Sequence, residues 1–535
     1  MMKELQKGVF ADILLLILSL VWVGWLCTDY FSKQLLYAIA LDKFLYGAFF
    51  VKVLLLIAMN VGVFLWGKSR SRYWMVSGWW VVLQSIILVW LANQAVYDVA
   101  IQPLNKGTVR FENHPFEPLP HFLEGISVPA LFLVVAFATG DLLLYLFGLQ
   151  FRKHTGTIIR LGAGFGVWMT LLFFLGIGDF LHPVVLIPLG LAFVGLRYKS
   201  VMKWVNALIV MPHENYAQKL NPAGVIVFML LTLMVLLNLM RVQTPFPTGS
   251  DALNYYVNLA RLIGNENGLI HGFQPHNYSL ITALGYLVGN GTPSSLVFSS
   301  LGGILSLVVL YRIGRSVLKI GPNTLLLTLV VIYLTPTMVV QSIAELKIDL
   351  GLLFMSLATL LLFLSFIRNP PELYKSRLLM LVLIGISCGW LMGIKLTSLF
   401  LVFALLAGLW YVHTGLIGFA AIGFFAFGVS FIAGMDQVYE IDVAHLSRPM
   451  VLAGCLLAGG IAAGVIFVRQ RGKLLALLRE SAIIGFFLVL TFSPWMVKNY
   501  LETKKLDPKS ILMGDYPGKK LFLTDMIKKM RDAEK

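Results

Sequence analysis

Apolar runs of about 20 residues, separated by short polar connections, recur along this chain from Asp12 to Val497. A helix needs roughly 20 apolar residues to cross the hydrocarbon core of a bilayer, and open sheet edges cannot be satisfied in lipid. The pattern therefore predicts an all-α, polytopic integral membrane helical bundle with about 15 transmembrane helices. The first run, Val9 to Cys27, lacks a small-residue cleavage site and is interpreted as a retained signal anchor.

Two segments between the long runs have a different pattern. Asp251 to Ile263 carries apolar residues at helical spacing, which predicts an amphipathic helix lying at the membrane interface. Ser279 to Val288 is apolar but only about 10 residues long, too short to span a bilayer, so it is interpreted as a re-entrant or interfacial segment. Both segments belong to one long connection, residues 242–293.

Composition and charge agree with this picture. The chain is 58% hydrophobic and 13% charged, with a mean hydropathy of +0.83, which excludes an ordinary soluble domain. A net charge of +16 raises nucleic acid as a partner, but the basic residues form clusters in every second connection, which is typical of cytoplasmic loops and excludes that partner. The clusters are Lys68, Arg70 and Arg72; Arg152, Lys153 and Arg160; Arg197, Lys199 and Lys203; Arg312, Arg315 and Lys319; Arg368, Lys375 and Arg377; and Arg469, Arg471, Lys473 and Arg479.

The charge pattern also divides the chain. It predicts a cytoplasmic N-terminus and an N-terminal membrane region of about six helices over residues 1–203, followed by a cytoplasmic linker over 204–221. A membrane core then covers 222–500 and includes the extracytoplasmic loop 242–293, and a polar extracytoplasmic tail covers 501–535. The absence of a recognisable internal repeat argues against a transporter built from inverted repeats.

Two charged residues at predicted span ends are the first candidates for chemistry. Asp251 follows a span that Pro245 and Pro247 end, and it is a candidate general base as well as a candidate N-cap for the next helix. Lys395 lies between two apolar stretches, after glycines at every fourth position, Gly385, Gly389 and Gly393. It is either a functional cation or a lysine that snorkels to the interface, and the glycines would let another backbone or a lipid approach closely.

Three further groups lie in connections predicted to share the same, extracytoplasmic side. Glu345, Lys347 and Asp349 form either part of a site or a solvated turn. His276 shares the connection of Asp251 and is either a site residue or a structural histidine. Lys498 ends a span next to aromatic residues, including Trp495, of the kind that mark an aromatic belt.

With these residues in place, the region from about Ala223 to Tyr500 resembles the bacterial GT-C glycosyltransferases, polytopic enzymes that take a sugar from a polyprenyl-phosphate carrier. The family pattern Asp-x-Leu-x-Tyr-His is matched at Asp251 to Tyr256, with Tyr256 in place of the histidine. The other matching segments are Lys347-Ile-Asp349-Leu-Gly, Gly393-Ile-Lys395 and Pro494-Trp495-Met-Val-Lys498-Asn-Tyr500. The resemblance covers about half of the chain and leaves the first 200 or so residues unexplained.

The resemblance implies a nucleotide-independent, inverting transfer to an extracytoplasmic glycan, lipid or protein acceptor. Asp251 would be the catalytic base. Lys395 and Lys498 would bind the lipid phosphate, and Lys347 is a further candidate for that contact. The remaining substrate-binding candidates are Tyr255, Tyr256, His276, Glu345 and Asp349. No resident metal or other cofactor is expected, and a Mg²⁺ or Mn²⁺ ion at Glu345 and Asp349 is the alternative.

The expected location is the cell (inner) membrane, with the active site on the extracytoplasmic side and the bilayer and a lipid-linked donor as partners. Binding of a partner protein is a further expected role for the N-terminal helices. A transporter or flippase of a lipid-linked saccharide, or a membrane assembly subunit, remains open as an alternative function.

Overall fold

A computed structural model describes residues 118–151, 153–215, 255–271, 274–335, 346–368, 373–432, 448–506 and 508–514, and isolated residues 58, 224, 227, 228, 231, 232, 235 and 338. Within these residues the structure is helical and contains no strand, which confirms the predicted all-α class for this part of the chain. The helices are α1 (Pro118–Leu146), α2 (Lys153–Ile177), α3 (Pro183–Leu196), α4 (Tyr198–Asn215), α5 (Val257–Glu266), α6 (Asn277–Leu287), α7 (Thr292–Ser316), α8 (Pro322–Tyr333), α9 (Asp349–Arg368), α10 (Tyr374–Ile394), α11 (Leu399–Thr414), α12 (Leu416–Ile432), α13 (Arg448–Thr503) and α14 (Pro508–Met513).

Several of these helices are long and apolar enough to cross a membrane. Seven helices of the described part meet that test by length and composition, and the bent pair α3 and α4 would make an eighth span. The chain is therefore a multi-pass membrane protein. The predicted total of about 15 spans involves segments outside the described residues and stays a prediction. Of the predicted boundaries, residue 203 lies within α4, residue 500 lies within α13 and residue 221 lies outside the described residues, so the predicted division also stays a prediction.

Helix α13 is too long for a single crossing. It runs for 56 residues, or about 80 Å at 1.5 Å per residue, against a hydrocarbon core of about 30 Å. Its backbone leaves helical geometry at Gln470, where φ is −150° and ψ is 55°. Arg469 and Arg471 flank this break, so the helix is interrupted inside one of the basic clusters that the sequence predicts to be cytoplasmic.

The described helices fall into two units that are interleaved in sequence. Unit 1 comprises Met1–Pro129, Lys199–Asn254 and Thr292–Leu350, and unit 2 comprises Ala130–Tyr198, Tyr255–Gly291 and Gly351–Lys535. In unit 1, α7 packs against α8, and a methyl group added at Gly314 would meet the Leu325 side chain at 2.5 Å. Unit 2 contains the larger described core.

Helix α10 lies at the centre of unit 2, since its residues from Met380 to Ile394 are nearly all buried. It packs against the second half of α13 and against α2. The glycines predicted to permit close approach do so: a Cβ on Gly385 would meet the Ile484 carbonyl oxygen at 2.6 Å, and one on Gly389 would meet the Leu488 carbonyl oxygen at 2.7 Å. The approaching group is the backbone of another helix, and the two helices hold each other in register.

Two of the predicted basic clusters each contribute an arginine that contacts a neighbour of the other cluster within unit 2. Arg377 donates two hydrogen bonds to the buried Glu480, at 2.6 and 3.0 Å. The guanidinium carbon of Arg479 lies 5.6 Å from the centre of the Tyr374 ring. These contacts agree with the expectation that the connection containing Arg377 and the connection containing Arg479 lie on one side of the membrane.

Candidate functional site

The candidate site is built around α5 and α6, the two segments with distinctive patterns in the loop 242–293. Helix α5 buries Leu259, Ala260, Leu262 and Ile263 and packs against α6. The amphipathic helix is thus confirmed over Val257–Glu266, and its apolar face is covered by protein. Helix α6 has 11 residues, almost all of them buried, and packs against α2, α5 and α10. It is a short helix enclosed within unit 2, and its predicted re-entrant or interfacial placement stays a prediction.

Asn277, the first residue of α6, connects three helices of unit 2. Its Oδ1 accepts a hydrogen bond from Trp495 Nε1 of α13 at 2.7 Å, and its Nδ2 donates to the Trp390 carbonyl oxygen of α10 at 3.3 Å. The side chain is buried. Gly393 makes this possible, because a Cβ there would collide with Asn277 Nδ2. The start of α6 is therefore fixed against the ends of α10 and α13.

Trp495 lies in the middle of this cluster. Its ring is in edge contact with Phe173 of α2 at a centroid distance of 4.6 Å and with His276 at 4.7 Å. Only 2% of Trp495 is exposed. The expectation that Trp495 marks an aromatic belt is therefore wrong: its indole N–H is satisfied inside the protein, and its ring packs against Phe173 and His276.

His276 precedes α6 and is buried. Its Nδ1 lies 2.7 Å from the carbonyl oxygen of Gln274, so Nδ1 carries the hydrogen and Nε2 has the lone pair. The pKa of His276 is lowered to about 3, mainly by burial; the hydrogen bond to Gln274 opposes this shift and the charge of Lys498 adds to it. The imidazole is therefore neutral at physiological pH, with a basic nitrogen fixed in orientation.

Lys498 provides a nearly buried cation next to this histidine. Its Nζ contacts both carboxylate oxygens of Glu502, one turn later in α13, at 2.9 and 3.0 Å, and lies 5.6 Å from the centre of the Trp495 ring. Glu502 in turn contacts Nδ1 of the exposed His271 at 2.9 Å. An ammonium has three N–H donors, so the pairing with Glu502 leaves capacity for a further anionic group.

The two predicted tyrosines, Tyr255 and Tyr256, directly precede α5 and are linked to His276 through Gln274. Gln274 Nε2 donates to the Tyr255 hydroxyl at 3.4 Å, and the Gln274 carbonyl holds His276. Tyr255 and Tyr256 are in edge contact with a centroid distance of 4.8 Å. Tyr255 and His276, 21 positions apart in sequence, are thus joined through a single residue.

Lys395 occupies the connection between α10 and the short 3₁₀ turn Leu396–Ser398. Its backbone is extended, with φ −159° and ψ 131°, and its N–H caps α10 by donating to the Leu391 carbonyl at 3.1 Å. The side chain is half-buried. Lys395 follows Gly393, which contacts Asn277 and Trp495, so the structure places it at the same end of α10 as the cluster.

Lys347 and Asp349 belong to unit 1. The Lys347 N–H donates to Ser299 Oγ at 3.1 Å, and Ser299 Oγ donates back to the Lys347 carbonyl at 2.7 Å, which fixes this stretch to α7. Asp349 is in the first turn of α9, where a carboxylate stabilises the helix dipole. Their contribution to a site shared with the residues of unit 2 stays a prediction.

Two predicted residues, Asp251 and Glu345, lie outside the described residues. In the part of the chain that the structure describes, no three His, Cys, Asp or Glu side chains come together in a way that could hold a metal ion. The predicted Mg²⁺ or Mn²⁺ ion at Glu345 and Asp349 includes a residue outside the described ones and stays a prediction.

Sequence reasoning did not identify two members of the cluster, Asn277 and Glu502. Asn277 follows His276 directly, and a polar residue at the start of an apolar helix too short to span was an available signal. Glu502 lies four residues after Lys498, the spacing of an ion pair along a helix. The partner helices that give these residues their roles follow only from the packing.

The chain was compared with protein-family models, curated proteins and solved structures, and no match was found in any of the three comparisons.

Proposed function

We propose that this chain is a membrane glycosyltransferase that moves a sugar from a polyprenyl-phosphate donor to an extracytoplasmic acceptor with inversion of configuration. The observation that carries the proposal is the clustering of His276, Asn277, Trp495 and Lys498, which come from segments 218 positions apart in sequence. They combine a neutral imidazole of fixed orientation, a buried indole that packs against it and a nearly buried cation. The sequence resemblance to GT-C enzymes supports the same function.

The proposed chemistry assigns one role to each group. The acceptor hydroxyl oxygen attacks the anomeric carbon while its proton passes to the Asp251 carboxylate, and the bond from that carbon to the phosphate oxygen breaks. The electron pair leaves with the polyprenyl phosphate. Lys498 stabilises the charge that develops on the phosphate, because a preorganised cation in a dry site acts more strongly than one in water. Lys395 is the second cation.

His276 and the tyrosines would orient the acceptor. The lone pair on His276 Nε2 can accept a hydrogen bond from a sugar hydroxyl, and the buried Trp495 ring packs against the imidazole and holds it in place. Tyr255 and Tyr256 add hydroxyls on the side of α5. Lys347, Asp349 and Glu345 are assigned to the acceptor or to a divalent cation.

The test is transfer by the full chain reconstituted in phospholipid vesicles with radiolabelled polyprenyl-phosphate sugars and candidate acceptors. Asp251→Asn should abolish transfer, and Lys498→Gln should lower kcat by about 10²–10³, the usual effect of removing one charge-stabilising donor. Lys473→Gln is the matched control, since Lys473 is exposed beside the break in α13.

Each outcome bears on a different part of the proposal. Unchanged transfer by Asp251→Asn would refute its role as the base, and unchanged transfer by Lys498→Gln would refute the phosphate contact. If wild-type protein binds lipid-linked sugars and moves them between leaflets without transferring them, the function is transport and the glycosyltransferase proposal fails.

A further inference from the structure

Unit 2 contains a second charged cluster, formed by Asp141, Arg160 and Arg197. Arg160 Nε donates to Asp141 Oδ1 at 2.6 Å, and Arg197 donates to Oδ2 through Nε at 2.7 Å and through Nη2 at 2.6 Å. Asp141 is 4% exposed. An acid inside an apolar span is costly without a partner, and these two arginines supply one. The cluster is separate from the residues assigned to transfer.

Close helix packing holds the cluster together. A Cβ on Gly140 would overlap the Arg160 carbonyl oxygen, and one on Gly164 would overlap the Ala136 carbonyl oxygen, so α1 and α2 cross with their backbones in contact. Arg197 caps the end of α3, where its N–H donates to the Phe193 carbonyl at 3.2 Å. The backbone therefore fixes the positions from which both guanidinium groups extend.

The cluster has unused binding capacity. Its three side chains carry a formal charge of +1, and a guanidinium has five N–H donors. Among the residues that the structure describes, neither arginine donates a side-chain hydrogen bond to any group other than Asp141. The side chains of Arg160 and Arg197 are 22% and 21% exposed. The exposed part of the two guanidinium groups can thus donate to an external anion.

The cluster of Asp141, Arg160 and Arg197 is bordered by aliphatic side chains of α3 and by an aromatic ring of α1. Helix α3 exposes a face of large aliphatic residues, Val184, Ile187 and Leu191, that leads towards Arg197. The exposed Tyr145 ring lies under the Arg197 guanidinium at 4.5 Å. A ligand with an anionic head and an aliphatic tail matches both features, because its head would reach the guanidiniums while its tail lies along α3.

We propose that Arg160 and Arg197, held side by side on Asp141, form a binding site for the phosphate of an anionic phospholipid. The two arginines belong to basic clusters that the sequence predicts to lie in the cytoplasmic leaflet, where anionic lipids attract basic groups. Arginine forms paired hydrogen bonds with phosphate. The excess positive charge favours a net anionic headgroup over a zwitterionic one, although both contain a phosphate.

The test uses full-length protein purified in delipidated detergent and titrated with phosphatidylglycerol, phosphatidylcholine or inorganic phosphate, with binding measured by native mass spectrometry and by the shift in unfolding temperature. Wild-type protein should bind phosphatidylglycerol at least about tenfold more tightly than phosphatidylcholine, the difference expected from one charge-assisted interaction. Arg197→Gln should remove that preference. Arg479→Gln, the matched control, should keep it within about twofold, because Arg479 lies on a tyrosine ring away from the cluster.

Equal wild-type affinities for phosphatidylglycerol and phosphatidylcholine would overturn the proposal without any variant, so a misfolded Arg197→Gln does not protect it. Equal losses of preference in Arg197→Gln and Arg479→Gln would also overturn it, since the attraction would then be a property of the whole basic surface. Inorganic phosphate that displaces the lipid at the same concentration would show that the ligand is a soluble anion.

Discussion

Replacing Gly389 with alanine should destabilise the protein by separating α10 from α13. The added methyl group would lie 2.5 Å from Thr491 Cβ and 2.7 Å from the Leu488 carbonyl oxygen, well inside the separation of about 3.5–4.0 Å at which carbon atoms attract each other. The oxygen belongs to a helix backbone and cannot rotate away. The two helices must move apart by about 1 Å, and Trp495 and Lys498 would move with α13.

The magnitude follows from a matched comparison with Gly485→Ala. Both glycines are within helices, and alanine is favoured over glycine there by about 1 kcal/mol. A Cβ at Gly485 meets no atom within 4 Å, so Gly485→Ala should gain up to that amount. Overpacking costs about 1–3 kcal/mol, and the rigid backbone contact at Gly389 places the cost near the upper end. The gain in helix propensity is the same in both variants and cancels. The free energy of unfolding of Gly389→Ala should therefore be lower than that of Gly485→Ala by about 3 kcal/mol.

The assay is reversible unfolding of each variant in mixed detergent micelles, followed by tryptophan fluorescence and circular dichroism. Gly389→Ala should unfold at lower denaturant than wild type, and Gly485→Ala at equal or higher denaturant. If the two variants agree within about 0.5 kcal/mol, the usual scatter of surface substitutions, the close approach of α10 and α13 is not a stabilising contact and the reasoning is refuted.

Three further outcomes concern the candidate site. Burial holds the pKa of His276 at about 3, against 6.5 in the unfolded chain, so stability should be full above about pH 6.5 and fall by about 2 kcal/mol between that pH and pH 5. Denaturant titrations should show a smaller loss in His276→Gln, and an equal loss would contradict the assignment. Trp495→Phe removes the donor to the buried Asn277 Oδ1 and should cost about 1–3 kcal/mol of unfolding free energy, with little added cost when Asn277→Leu is also present. Glu502→Gln removes the carboxylate that holds Lys498 and should lower the transfer rate about tenfold with a near-normal unfolding midpoint; an unchanged rate would exclude a positioning role for Glu502.

Local patterns predicted several elements of the structure correctly. The segment Ser279–Val288 was interpreted as too short to span, and α6 is an 11-residue helix within unit 2. The glycines of α10 were expected to permit close approach, and the backbone of α13 occupies that space. These predictions depend on length and spacing along a single segment, which the sequence contains directly.

The partners of isolated polar residues could not be predicted in this way. An acid such as Asp141 is costly in an apolar span, but its partners lie 19 and 56 positions later and reach it because α1 and α2 pack at their glycines and Arg197 lies at the end of α3. His276 and Lys498 were separate candidates in sequence, and Trp495 was assigned to an aromatic belt. Their common cluster became evident from the contacts among α6, α10 and α13.

The sequence by itself determined that this is a multi-pass, helical membrane protein, because the free energy of placing a segment in lipid is a sum over consecutive residues and the bilayer leaves the backbone few alternatives. It also identified the charged residues that such an environment makes costly. Only the tertiary structure decided which of them meet, since contacts between residues more than 200 positions apart depend on how the surfaces of whole helices fit together. That fit joined His276 to Lys498 and gave Asp141 its two arginines.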